Sequence, residues 1–556
     1  MSKIKLIKNN DLPQGGRWLQ KAGNYLGIAL DWIISIYMLL IIVVMPFYFE
    51  NENGYRIIGT NKYDFLKAAT MNAGIILLPL TVIYLLFYVL APRNEKRAGI
   101  RLTFTAFCKS FSITDISAAL FGVSVLLSYL FTDYREEALW GAKGWYMGLA
   151  TQLSFIGMYF YISRVWKKKN WIPALFLPVS AIVFLLGYLN RFGIYPISME
   201  YANPSFVSTI GNINWYCGYL VTVFFGGVFY LWYGDFKKPW LKIPALFYVG
   251  IGFASLVTQG SSSGIMTLLA VLLVLFLLSV SDGKRLRSYL EIIFTLALVC
   301  LITFIVRIIF PDAITYIETA TDLFTYSFLP FLIAAVSGGL LLWVRRIVGN
   351  NRYRSDLFRI LGKIVLSAVI LCAVSYVILL IVNTLRPNSI GLLSDISLFT
   401  FSSSWGSNRG VTWKAGMMCF MEQGFLKKLV GVGPDCMAAY ILTDGSAELT
   451  AMVTASFGED RLTNAHNEWL TMLVNLGLLG MFSYVTMIVS GIIRFIKKGI
   501  DKNHKSADNL IAGACGFGIL AYTINNMVSF QQSMNGAAMF MILGIGGAYV
   551  REREME

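Results

Sequence analysis

The chain offers only two histidines for proton transfer near neutral pH, His466 and His504. An imidazole is the side chain whose ordinary pKa lies closest to neutrality, so it is the natural general base. His504 sits in the basic stretch Lys502-Asn503-His504-Lys505, where a solvated role is the plain expectation. His466 stands in Asn464-Ala465-His466-Asn467-Glu468, directly before a long apolar run, and is the candidate base. Arg409, in Arg409-Gly410-Val411-Thr412-Trp413-Lys414, is the candidate anion ligand, because a guanidinium grips phosphate oxygens through a bidentate fork. Arg307 lies in Ile305-Val306-Arg307-Ile308-Ile309, an apolar context in which a charge is either functional or snorkels to the membrane surface. Two polar clusters complete the set. Gly211-Asn212-Ile213-Asn214 opens one apolar stretch, and Gln259-Gly260-Ser261-Ser262-Ser263 forms a tight turn between two others. Their amides and hydroxyls either cap helix ends or bind an anion at helix N-termini.

The elements that must position these residues are membrane helices. Of 556 residues 56% are hydrophobic and only 14% charged, and mean hydropathy is +0.64. That composition excludes a disordered chain, a disulfide-rich secreted scaffold and an ordinary DNA-binding protein. Apolar runs long enough to cross a bilayer recur near 25–49, 66–91, 112–132, 145–163, 171–189, 209–233, 241–259, 264–281, 289–311, 325–344, 362–384, 467–496, 508–530 and 534–550, about fourteen spans in all. The first continues well past the length of a signal-peptide core and reads as a retained helix. With both termini inside, most Lys and Arg fall in alternate loops, among them Lys167-Lys168-Lys169, Lys237-Lys238, Lys284-Arg285 and Arg345-Arg346. The net charge of +15 is then a consequence of topology and does not call for nucleic acid. Residues 1–385 carry spans 1–11, 386–465 form one large extracytoplasmic loop, and 466–556 carry spans 12–14. A loop of that size is usually functional. Within it, Ser407-Asn408 reads as the cap of a helix that puts Trp413, Met417 and Phe420 on one face and ends at Gly424. Pro434 reads as the start of a second. His466, Arg409, the Asn pair and the Ser turn all map to the same outer face. Seven cysteines show no metal or redox spacing, and a bridge between Cys419 and Cys436 is left open.

No GxxxxGK[ST], GxGxxG or HExxH occurs, so synthesis on the outer face would need a substrate activated beforehand, such as a lipid-linked pyrophosphate. Arg409-x3-Trp413, Gly431-Val432-Gly433, Ala465-His466-Asn467-Glu468-Trp469-Leu470 and Asn475-Leu476-Gly477-Leu478-Leu479-Gly480, together with Gly211–Tyr219 upstream, resemble the signature region of the bacterial O-antigen ligase family. That family includes O-antigen polymerases and related envelope glycan ligases. The resemblance runs from about Asn212 to Gly480 and implies an all-α, GT-C-like glycosyltransferase of the bacterial cytoplasmic membrane. Such an enzyme works on the outer face without metal, cofactor or nucleotide sugar. It moves a glycan from undecaprenyl pyrophosphate to a hydroxyl on a lipid, glycan, protein or wall-polymer acceptor. By the same resemblance His466 is the base and Arg409 holds the pyrophosphate. Asn212, Asn214, Ser261, Ser262, Trp413, Asn467 and Glu468 surround the substrate, and Glu468 either orients the imidazole or lies on the surface. The chain departs from the family at Gly260-Ser261-Ser262-Ser263-Gly264, where family members often carry an arginine, so either Arg191 or Arg307 substitutes or the Ser hydroxyls and the helix N-terminus suffice. The competing readings are a lipid-linked oligosaccharide flippase and a family member that binds without transferring. A carrier would set its polar groups near the bilayer midplane and repeat its halves, neither of which the sequence suggests.

Overall fold

The computed structural model describes residues 14–50, 54–90, 110–311, 314, 319–501 and 506–551. Among these, thirteen helices are long and apolar enough to cross a bilayer, which makes the chain an all-α multi-pass membrane protein. His504 and Cys108 lie outside the described residues.

Thirteen of the fourteen expected spans coincide with these helices. The expected span at 145–163 differs: it is the helix Leu149–Phe160 continued by a π-helical turn, Tyr161–Val165, and falls short of a full crossing length. Its first residues are diverted into a turn at Gly141 and Gly144, both with positive φ. The backbone N–H groups of Ala142 and Met147 in that turn donate to Asp435. A second correction falls at 508–530. The helix there, Ala507–Asn525, stops early, and the polar run that follows folds back as a buried loop before Gln532 caps the helix Ser533–Val550.

Burial sorts the helices. Ile213–Tyr233 and Ser533–Val550 are enclosed nearly all round, whereas Ser355–Leu385 buries only Gly362 and Asn383 and presents its aliphatic side chains outward. The close approach inside depends on small residues: a Cβ on Gly546 would sit 2.4 Å from the Phe495 ring. A lateral apolar groove of about 810 Å³ opens between Phe176–Arg191, Ile213–Tyr233 and Ile243–Thr258, lined by Phe176, Leu177, Tyr230, Phe247 and Tyr248.

The segment 386–465 folds into short helices, Trp405–Glu422, Phe425–Val430, Met437–Thr443 and Ala447–Phe457. They share a core of Ala415, Cys419, Val432, Cys436, Met437 and Tyr440. The first is the expected helix with different ends: Ser407 and Asn408 form a left-handed turn with Gly406, no side-chain cap is made, and the helix proper runs from Arg409 to Glu422, two residues short of Gly424. The second expected start is displaced, because Met437–Thr443 is capped at Cys436 and Pro434 precedes it. Cys419 and Cys436 are free, buried thiols with no bridge between them.

The glycine motifs explain how this segment is fixed to the bundle. Glu468–Gly499 is interrupted at Gly477, with φ of 65°. The carbonyls of Val474 and Asn475 before that break accept from Val432 N and Gly433 N, each at 3.1 Å. Ser128 Oγ also donates to the Asn475 carbonyl, at 2.7 Å. The backbones meet so closely that a Cβ at Gly431 would lie 2.1 Å from that carbonyl, and one at Gly477 would lie 2.4 Å from Leu429. Gly431-Val432-Gly433 and Asn475-Leu476-Gly477 are thus two halves of one junction.

Candidate functional site

Arg409 begins the helix that ends at Glu422, directly after the left-handed turn. Its Nε donates to the Val528 carbonyl at 2.7 Å and its Nη1 to the Gly406 carbonyl at 2.6 Å, so the guanidinium is anchored through both the turn and the 526–532 loop. Trp413, four residues on, shares its helix face. The indole packs edge-on against Trp405 at 5.4 Å, and its Nε1 is buried with no hydrogen-bond partner.

His466 is held by the strand-like segment before Glu468–Gly499. Its backbone N–H donates to Asn464 Oδ1 at 3.0 Å, and Ala465 N donates to Thr471 Oγ1 at 3.1 Å. Asn467 caps the helix, its Oδ1 accepting from Leu470 N at 3.1 Å. His466 itself is left-handed, with φ of 48°, a conformation that costs about 1–2 kcal/mol in a residue with a Cβ. The imidazole stands edge-on to Phe530 at 5.1 Å, and its Nδ1 is buried without a partner. Burial lowers its pKa to about 4, and the charge of Arg409 lowers it further within that value. The ring is therefore neutral at physiological pH and close enough to Arg409 to feel it.

Glu468 is neither on the surface nor bonded to the imidazole. It is 2% exposed and accepts from Tyr484, Tyr522 and Asn526 side chains, while its backbone N–H donates to the Asn526 carbonyl at 2.9 Å. From there a polar chain crosses the bundle. Asn526 Oδ1 accepts from Asn525 Nδ2 at 2.8 Å, and Asn525 Oδ1 accepts from the Cys217 thiol at 3.5 Å. Cys217 touches Ser263 Oγ, which meets Ser261 Oγ at 2.9 Å, and Ser261 Oγ donates to Asn214 Oδ1 at 2.9 Å. The Asn pair and the Ser turn, distant in sequence from His466, thereby join the same network.

Other expected residues stand apart. Ser262 is exposed and outside the network. Asn212 caps Ile213–Tyr233 by accepting from Asn214 N at 2.9 Å, the helix-end role. Arg191 is buried beside the Ser turn, donating to the Gln259 carbonyl and, at 2.8 Å, to the Pro204 carbonyl. Arg307 neither snorkels nor joins these residues: it is buried against Asp322 at 2.8 Å and Thr325 at 2.8 Å, with the Tyr326 ring alongside.

The sequence reading missed the element that ties the site together. Residues 525–531 supply Asn525, Asn526, the Val528 carbonyl and Phe530, and so touch Glu468, Arg409 and His466 at once. The signal was the run Asn525-Asn526 and Ser529-Phe530-Gln531-Gln532-Ser533, too polar for the end of a span. Asp435 was also missed. Its carboxyl is buried, accepts from Ala142 N and Met147 N at 2.9 Å each, and is pushed by burial to a pKa of about 7. It shares with Glu468, Gln152 and Asn475 an enclosed cavity of about 30 Å³, room for a water or two. Among the described residues no cluster of His, Cys, Asp and Glu could hold a metal ion. Compared with models of known protein families the chain matches none, and compared with curated proteins it again finds no match.

Proposed function

We propose that the protein transfers a glycan from a polyprenyl-diphosphate carrier to an acceptor hydroxyl, where Arg409 and His466 both lie against the 525–531 loop. The observation that carries this reading is their pairing: a buried neutral imidazole with an unpartnered nitrogen lies within electrostatic reach of a carbonyl-anchored guanidinium. A sugar hydroxyl is a poor nucleophile, and a neutral imidazole can take its proton as the glycosidic bond forms. The diphosphate leaves as its negative charge is met by Arg409, with the unpartnered Trp413 N–H one turn away as a further donor.

The low pKa of His466 fits an ordered reaction. Without donor, burial and, to a lesser extent, the charge of Arg409 keep the ring uncharged and weakly basic. A bound diphosphate neutralises Arg409 and adds negative charge beside the ring, which strengthens the base once the donor is in place. The polar chain from Glu468 to Asn214 holds the scaffold on which both groups sit. On this reading the site faces the exterior of a bacterial cytoplasmic membrane, and ligase and polymerase differ only in the acceptor.

The test is transfer by the purified protein in proteoliposomes, given a labelled undecaprenyl-diphosphate glycan and candidate acceptors. His466→Ala should lower the rate about 10²- to 10⁴-fold and Arg409→Ala about 10²- to 10³-fold, with both variants folded. Full transfer by His466→Ala removes the base. Movement of labelled lipid across the bilayer with no glycosidic product favours the carrier.

A further inference from the structure

An aromatic wall leads away from His466. Phe530 meets the imidazole at 5.1 Å, Trp145 meets Phe530 at 4.6 Å, and Trp215 meets Trp145 at 6.2 Å, each nearly perpendicular to the last. Trp215 then packs on the small cluster of Tyr55, Ile58 and Met199, where a Cβ at Gly59 would come within 2.9 Å of its ring. Phe206 stands 5.4 Å from Tyr55 in the same cluster. The wall ends at an open cleft of about 360 Å³ lined by Tyr55, Arg56, Tyr201, Asn203 and Phe206. There the guanidinium of Arg56 lies over the Tyr201 ring, 3.7 Å from its centroid. Arg56 is exposed and, among the described residues, forms no ion pair. Tyr201 is 45% exposed and left-handed, with φ of 57°.

We infer that this wall and cleft form a binding path for the glycan chain itself, with Arg56 and Tyr201 receiving an anionic sugar several residues from the bond being made. The inference rests on the proposed glycan transfer for its direction, since the path starts at the proposed base. Aromatic residues at a membrane boundary commonly form a belt around the molecule. These rings instead succeed one another in contact, from the imidazole to one cleft. A guanidinium held over an aromatic ring keeps N–H groups for a carboxylate or phosphate, and the exposed Tyr201 ring offers an apolar face for sugar, whereas Phe530 and Tyr55 are buried and only back the wall. A charge held this way, with no carboxylate partner among the described residues, suits an anionic ligand.

The test is binding of glycan by the full-length protein in nanodiscs. The probe is the free glycan released by mild acid from the polyprenyl-diphosphate pool of the producing cells. Arg56→Ala and Tyr201→Ala, both at an exposed cleft, should weaken binding at least fivefold, while Lys237→Ala, exposed and apart from both the cleft and the proposed catalytic residues, binds as the wild type does. Reducing the carboxyl groups of the glycan, or in a parallel arm removing its phosphates, should reproduce the loss on the wild-type protein and identify the anion. No binding by the wild type, equal binding by the cleft variants, or indifference to both chemical treatments overturns the path. The two readings separate cleanly. Binding without any transfer strikes the proposed function alone, and transfer with unchanged affinity in the cleft variants strikes the path alone.

Discussion

A histidine that titrates near 4 and an aspartate that titrates near 7 have traded their ordinary order, and both shifts have stability consequences. His466 drops from 6.5 to about 4, so between those values the unfolded chain binds a proton that the folded one refuses. Its contribution is fully present above 6.5 and is lost as pH falls toward 4. Asp435 rises from 3.8 to about 7, so the folded chain keeps a proton the unfolded one releases. Its contribution is present below 3.8 and is lost as pH rises through 7. Asp435→Asn should therefore raise the thermal midpoint more at pH 8 than at pH 5; an equal change at both would contradict the shift. Removing Arg409 should let the His466 value climb back toward 6.5. The midpoint of diethyl pyrocarbonate modification against pH, read in a His504→Ala background, would show this by moving upward in Arg409→Ala. Glu468→Ala strands the side chains of Tyr484, Tyr522 and Asn526. At about 1–3 kcal/mol for each buried group left unpaired, it should fail thermally well before Glu468→Gln, which keeps one acceptor oxygen for the two tyrosines.

At the scale of elements, the broken helix at Gly477 and the segment Gly431–Gly433 decide whether the 386–465 segment sits on the bundle at all. Gly477→Ala must place a Cβ against the Leu429 backbone and hold a positive-φ, extended conformation that is nearly confined to glycine and alone costs about 1–3 kcal/mol. The expected outcome is a lower unfolding temperature together with protease sensitivity within 386–465; a variant as resistant as the wild type would contradict the junction. Much of this was legible in advance. The helix start near Ser407-Asn408 and the helix carrying Arg409 and Trp413 follow from local rules of helix ends. The 525–531 loop was not, because hydropathy averages its Asn, Phe and Gln residues into a neighbouring apolar run, and only packing reveals that it folds back. Glu468 was misread for a related reason: its partners Tyr484, Tyr522 and Asn526 lie at distances in sequence that no local pattern encodes. Arg307 looked like a site residue because apolar neighbours hide Asp322, which comes from a different helix.

For the whole molecule, the multi-pass helical architecture follows from composition and run length, while the orientation is a prediction from charge. Cysteines introduced at Asp444 and at Asn503 should label from opposite sides of the membrane, the first from outside; labelling of both from one side would reverse or break the proposed topology. The central claim is that Arg409 and His466 serve a single bound donor. The most direct measurement is an electron cryomicroscopy map of the protein in nanodiscs with undecaprenyl diphosphate, the lipid left behind by transfer. The account predicts diphosphate density within hydrogen-bond reach of the Arg409 guanidinium and the Trp413 N–H, with the His466 ring facing the place where the sugar was attached. Diphosphate density elsewhere, for instance at the mouth of the lateral groove beside Phe176 and Tyr230, with none at Arg409, would contradict it.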